Sequence, residues 1–152
     1  MGHEDFGSIC SGGRYDVLAS DGRTTYPGVG ISLGVSRLLG VLIGRGLVRA
    51  TRSVPTCVLV AVSDEADRPR SSAIATALRA RGIPAEVAPK ADKYGKQIKY
   101  ADRRGIPFVW FPGEADPDPG SVKDIRTGDQ VDADPTAWTP PPQDAAPTLL
   151  TD

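Results

Sequence analysis

Two groups of residues have the types and spacing to do chemistry. The first is Ser11-Gly12-Gly13-Arg14-Tyr15-Asp16, followed by Gly28, Gly30, Gly34 and Arg37. Adjacent glycines let a backbone turn where a Cβ would clash, so Arg14, Tyr15 and Asp16 are expected to face a cavity. Gly28 and Gly30 fall in an extended run and leave one side of it bare, which allows a flat ligand to approach closely. Arg37 sits in the first turn of the helix that Gly34 opens. A guanidinium beside free N–H groups and a positive dipole end suits a phosphate. The second group is Lys93, Lys96, Lys99 and Arg103, at intervals of three, three and four. On a helix these cations share overlapping parts of one face, which suits RNA phosphates and gives salt-dependent affinity without base selection. Spacing alone leaves an ordinary alternative for each: a surface arginine, a half-buried packing tyrosine, and a solvated helix face.

The elements that must position these residues follow from periodicity. Phe6 to Cys10 reads as a short strand, and Gly12-Gly13 as a turn. A polar loop ends at Pro27, and Gly28 to Leu33 form a second strand. In the helix after Gly34, Val35, Leu38, Leu39 and Leu42 recur at i, i+3, i+4 and i+7 and make one apolar stripe. Gly44 to Pro55 loses this pattern and reads as a linker. The first unit is thus too short to bury the stripe of its own helix, and it lacks what it packs against.

Beyond the linker, Thr56 to Val62 is a continuous apolar run of buried-strand length. A helix from about Ala66 to Arg81 follows, stopped by Gly82, and then a short strand, Ala85 to Val87. A second helix runs from about Asp92 to Arg104, with Tyr94, Ile98 and Ala101 inward, and ends at Gly105. Phe108 to Phe111 is another buried strand, and Val122 to Ile125 with Gln130 to Val131 form a hairpin. The fold class is therefore α/β, with a mixed sheet that starts parallel and ends antiparallel. From Asp134 onward the chain is rich in Pro and Ala, and it reads as a disordered tail.

Composition narrows the class of function. The 152 residues are 39% hydrophobic and 24% charged, which is ordinary for a globular chain. No apolar run reaches membrane-spanning length, and no basic, apolar leader opens the sequence, so a cytoplasmic location is the expectation. Cys10 and Cys57 are too few and too far apart for a zinc framework, and His3 has no ligand cluster around it, so no metal site is expected. The net charge of −1 conceals an asymmetry. Residues 85–111 carry six bases against three acids, and residues 112–152 carry two bases against nine acids. A basic middle beside an acidic tail points to a local polyanion site.

Taken as a whole, SGGRYD followed by PGVGISLGVSRLLG closely resembles the end of the catalytic domain in the histidine–tRNA ligase family of class II aminoacyl-tRNA synthetases. The resemblance implies a histidine pocket in which Tyr15 contacts the imidazole and Arg14 supports it. It also implies that the glycine strand and helix are the third class II signature, with Arg37 as the catalytic arginine on the ATP phosphates and Gly34 against the adenine. The stretch KADKYGKQIKYADRRGIPFVWFPGEAD, with the later VKDIRTGDQV, is similar to the anticodon-binding domain shared by the histidine, threonine, proline and glycine synthetases. Lys96, Gln97, Lys99 and Ala101 match its helix, Gly113 and Glu114 its next loop, and Lys123 and Asp124 its last strand. By resemblance the tRNA contacts are Lys93, Lys96, Gln97, Lys99 and Arg103.

The organisation that this implies is a fragment of the antiparallel catalytic sheet with its helix over residues 1–46, a linker over 47–55, an anticodon-binding domain over 56–134 and a tail over 135–152. The family activity is activation of histidine with ATP and transfer to tRNA(His). Mg2+ is the counter-ion, and the complete enzyme is expected to be a homodimer. Two departures stand out. The family often closes its last domain with a further helix, whereas this chain has Pro135 and the Pro140-Pro141-Pro142 run. The earlier class II motifs are absent from these residues, so the chain by itself is expected to be catalytically inactive. The alternative is a non-catalytic tRNA-binding or regulatory module.

Overall fold

The structure is a computed structural model that describes residues 7–114 and 118–151. His3 and Phe6 lie outside the described residues. The chain divides into two compact units, Met1–Arg49 with Leu150–Asp152, and Ala50–Leu149.

The first unit is a long antiparallel hairpin followed by a helix. Strands β1 (Cys10–Ser20) and β2 (Thr25–Leu33) are joined across Asp21 and Gly22. Gly22 takes the left-handed conformation at φ 85°. The Asp21 carboxylate accepts the N–H groups of Thr24 and Arg23 and the Tyr26 hydroxyl at 2.7, 2.8 and 2.9 Å, and these bonds hold its pKa below the usual value. The turn expected at Gly12-Gly13 is not there. Both glycines are inside β1, opposite Ile31 and Gly30, and a Cβ on Gly12 would strike the Gly30 carbonyl oxygen. The glycine therefore serves close approach of two strands and not reversal of the chain.

Helix α1 (Val35–Gly44) begins directly at Gly34, whose N–H donates to the Ile9 carbonyl at 2.7 Å. Val41 is buried and Leu38 and Leu42 are half-buried, but Val35, Leu39 and Ile43 stay exposed. In the hairpin Val17, Val29 and Ile31 are 81%, 85% and 80% exposed. Six large apolar side chains left in solvent accord with the expectation that a unit this short cannot bury its own apolar residues. Strand β3 (Val48–Ala50) follows.

The second unit is built around β4 (Val58–Val60), every residue of which is fully buried. A 3-10 turn at Glu65–Asp67 leads into α2 (Arg68–Ala80), and β5 (Ala85–Val87) returns beside β4. Helix α3 (Tyr94–Arg104) then crosses to β6 (Phe108–Phe111), and β7 (Ser121–Asp124) and β8 (Gln130–Asp132) complete the sheet. The strand order is β5-β4-β6-β7-β8, with both neighbours of β4 parallel to it and the last two pairings antiparallel. The mixed sheet of an α/β fold read from the pattern is the one observed. Gly105, at φ 71°, ends α3, and the Ile106 N–H returns to the Ala101 carbonyl at 2.9 Å. One apolar cluster joins Ile74, Ala75 and Leu78 of α2 to Val58, Val60, Phe108 and Trp110, and a second joins Ala101 and Ile98 of α3 to Leu59 and Val109. Alternation along β4 and β6 thus gives each helix its own face of the sheet.

The disordered tail is corrected by the structure. Trp138 packs edge-on against Phe108 and Trp110, with ring centroids at 5.3 and 5.8 Å. The Arg81 guanidinium holds the same turn through the carbonyls of Pro135, Ala137 and Trp138 at 3.2, 3.1 and 2.5 Å. Further on, the one-turn helix α4 (Pro142–Ala145) carries Asp144, which is buried and accepts both Arg126 Nη atoms at 2.7 and 2.9 Å. Leu149–Thr151 forms β9, and β3 and β9 make a separate two-stranded sheet. One tryptophan and two arginines supply the anchorage that a count of apolar residues misses. The segment read as a linker is likewise partly folded, since Arg52 donates to the carbonyls of Val54, Pro55 and Asp144 at 3.0, 2.8 and 2.6 Å.

Asp124 also pairs with Arg126, which lowers its pKa, so this pair's contribution is complete at neutral pH and is lost as pH falls through that depressed value. Trp138→Ala removes the ring that covers Phe108 and Trp110, and it is expected to cost roughly 2–3 kcal/mol in urea unfolding of the second unit. An unchanged midpoint would show that the segment around Trp138 adds nothing to the stability of the sheet.

Candidate functional site

In the hairpin, the alternation and register place Ser11, Gly13, Tyr15, Gly28, Gly30 and Ser32 on one face. Three glycines make that face nearly flat, and the Tyr15 ring lies over it, so that a Cβ on Gly30 would come 3.0 Å from Tyr15 Cε2. Tyr15 is 45% exposed and lines a hollow of about 290 Å3 with Tyr26, Gly28 and Gly30. Arg14 is not part of this hollow. As the preceding residue of a strand it points to the opposite face, where its Nε donates to Asp16 Oδ1 at 2.6 Å. The structure therefore separates the two residues expected to share a pocket. Arg37 lies beyond the end of β2, with Nη1 donating to the Ser8 carbonyl at 2.5 Å. Helix α1 has no side-chain cap and no acidic residue in its first turn, an arrangement open to an anion. Gly34 is already committed through its N–H to Ile9.

Helix α3 gathers the cations. Lys93, Lys96, Lys99 and Arg103 are all exposed, and Lys96 is the only one of them with an ion pair among the described residues, to Asp92 at 2.9 Å. Lys96 and its hydrogen-bonded neighbour Lys93 keep the Asp92 carboxyl ionised below its usual range. Gln97 requires a correction. It is 5% exposed, and its carboxamide is spent on backbone: Oε1 accepts the Val62 N–H at 3.0 Å, and Nε2 donates to the carbonyls of Val62 and Asp92 at 2.8 and 2.5 Å. Both of its N–H donors are used, and burial closes the carboxamide off from RNA. Its place in the helix pattern is explained by anchoring α3 to the end of β4, and leaving the Val62 groups unpaired would cost about 1–3 kcal/mol.

Arg104 is also withdrawn from the cationic face. Its guanidinium lies 5.3 Å from the Tyr100 ring centroid and 3.9 Å from Glu86, which in turn accepts the Thr56 hydroxyl at 3.0 Å. Burial and the nearby Glu86 charge raise the Tyr100 pKa, so the phenol stays neutral across the physiological range. Tyr94, expected inside, sits at the rim with its ring 4.8 Å from that of Phe111.

Sequence spacing missed one neighbour of the cationic face. Lys90 precedes the helix, so helical periodicity could not group it, yet it lines a cleft beside α3 with Lys96, Tyr100 and Arg103. Among the described residues no three His, Cys, Asp or Glu side chains come together as a metal site, and no helix is long and apolar enough to cross a membrane.

The second helix of this α/β unit thus displays a stripe of exposed cations, of which only Lys96 is ion-paired among the described residues, the charge pattern of a polyanion site. Residues 56–136 match the model of the anticodon binding domain, and the chain belongs to that family. Beyond the domain, it is similar to curated histidine–tRNA ligases: 64% identical to that of Cutibacterium acnes and 56% identical to that of Micrococcus luteus, over 98% of this chain in each case. The chain spans about a third of the length of these relatives, 34% and 33% respectively. Among solved structures it is similar to histidyl-tRNA synthetase from Nostoc sp. PCC 7120, at 33% identity and a TM-score of 0.55, over 88% of this chain and 33% of that one.

Proposed function

We propose that this chain is the C-terminal part of a histidine–tRNA ligase, and that its second unit binds the anticodon stem and loop of tRNA(His). The observation that carries the reading is the 64% identity that runs through both units and not through the anticodon-binding domain alone. On α3, Lys93, Lys96, Lys99 and Arg103 face solvent and supply phosphate contacts. In the complete, cytoplasmic homodimer, Tyr15 orients the imidazole of histidine over the glycine floor. Arg37 and the open N-terminus of α1 hold the phosphates of ATP. Arg14, turned to the other face of β1, acts on the pocket only from outside it. Mg2+ would supply charge neutralisation as pyrophosphate leaves, and among the described residues no three His, Cys, Asp or Glu side chains come together to hold it.

Two measurements test the two halves of this reading. The 152-residue chain is expected to bind tRNA(His) in preference to an unrelated tRNA, with affinity that falls as salt rises. Equal binding to both, or none at low salt, contradicts the tRNA assignment. In the complete enzyme, Arg37→Ala is expected to slow ATP–pyrophosphate exchange by roughly a hundredfold while leaving tRNA affinity unchanged. Equal loss in both removes Arg37 from the phosphate site.

A further inference from the structure

Beside α3, between the helix and the chain leaving β5, lies a cleft of about 280 Å3 with a mixed lining. Ala88, Pro89 and the Tyr100 ring give it an apolar, partly aromatic wall, and Lys90, Lys96 and Arg103 stand around it. Lys90 and Arg103 have no ion pair among the described residues, so they are free to meet an anion, while Asp92 is engaged by Lys96. A second hollow, of about 510 Å3, adjoins along the helix and is lined by Lys96, Lys99, Asp102 and Arg103. Lys96 and Arg103 are common to both, and two turns of helix set them about 10 Å apart. Together they form a cationic ridge with a hollow on either side.

We infer that this ridge carries the backbone of a single-stranded RNA segment, and that the cleft takes one unstacked nucleotide from it, its base against Pro89 and Tyr100. The inference rests on the tRNA reading above and adds to it a place where a base, and not only a phosphate, is held. Three features favour an unpaired nucleotide. A cleft of about 280 Å3 is the size of a single base, and single-stranded loops are where proteins reach RNA bases. A lone phosphate has no use for an apolar wall, whereas a base gains from stacking on an aromatic ring and from a neighbouring guanidinium. The ring is also fixed in advance, since Arg104 holds it at 5.3 Å and its lower edge packs on the core beneath α3. Rigid walls lower the ordering cost of binding.

The test uses the full 152-residue chain and an RNA hairpin with the anticodon stem-loop sequence of tRNA(His), read by fluorescence anisotropy. Loop positions are replaced one at a time by an abasic sugar. In the unaltered protein one abasic position is expected to cost about tenfold in affinity. In Tyr100→Leu the intact hairpin shows the same loss, and that abasic position then costs nothing more. Tyr100→Phe, which keeps the ring, retains the binding. Lys96→Gln and Arg103→Gln each lower the slope of log affinity against log salt by about 0.7, and Lys93→Gln, outside both hollows, lowers it less. Should Tyr100→Leu fail to fold, the same cycle is run with Arg103→Gln against the abasic series. Abasic costs that are uniform around the loop, or that add independently to the protein changes, overturn the nucleotide site while leaving the tRNA reading intact. Absence of hairpin binding by the unaltered chain at low salt overturns both.

Discussion

The Gln97 carboxamide is the interaction on which the rest of the second unit depends. Buried where β4 ends, it takes the Val62 N–H and returns an N–H to the Val62 carbonyl, so a side chain continues the hydrogen-bond pattern that the strand itself has abandoned. Its third bond, to the Asp92 carbonyl, fixes the start of α3 as well. The helix is thereby held at one rotation about its axis. That rotation turns Ala101 onto the sheet and leaves Lys93, Lys96, Lys99 and Arg103 in water. The cationic face is a consequence of a neutral, buried amide.

The two units stand in opposite relation to burial. In the second, both faces of the sheet are covered, by α2 and Trp138 on one side and by α3 on the other. The Cys57 thiol lies so deep that burial pushes its pKa up to about 11, and it behaves as a small apolar group. In the first unit the hairpin pairs on either side of an irregularity between Tyr15 and Ala19, but Val17, Val29 and Ile31 project into solvent. A hairpin without a packed face is marginal in water. The Tyr15 floor is thus shaped by strand register, with little packing of its own to stabilise it.

Much of this was legible in the sequence, for identifiable reasons. Runs such as Cys57 to Val62 and Phe108 to Phe111 are apolar throughout, which only a strand covered on both faces requires, and Gly82 and Gly105 mark where the helices stop. The basic spacing on α3 was visible because helical periodicity is local. What failed was non-local. Gly12-Gly13 has the composition of a turn, and only the approach of Gly30 from the second strand reveals its role. Gln97 is polar and falls among lysines, so nothing in its neighbours discloses that Val62 satisfies it. Trp138 lies in a Pro-rich stretch, and its value comes from Phe108, Trp110 and Arg81, all distant in the chain.

The central claim is that the packing of the second unit is enough to hold it folded whereas that of the hairpin unit is not. Amide hydrogen exchange of the isolated chain tests it most directly. The account predicts strong protection at β4 and β6, including the Val62 N–H held by Gln97, and rapid exchange along β1 and β2. Protection of the hairpin equal to that of β4 would contradict it.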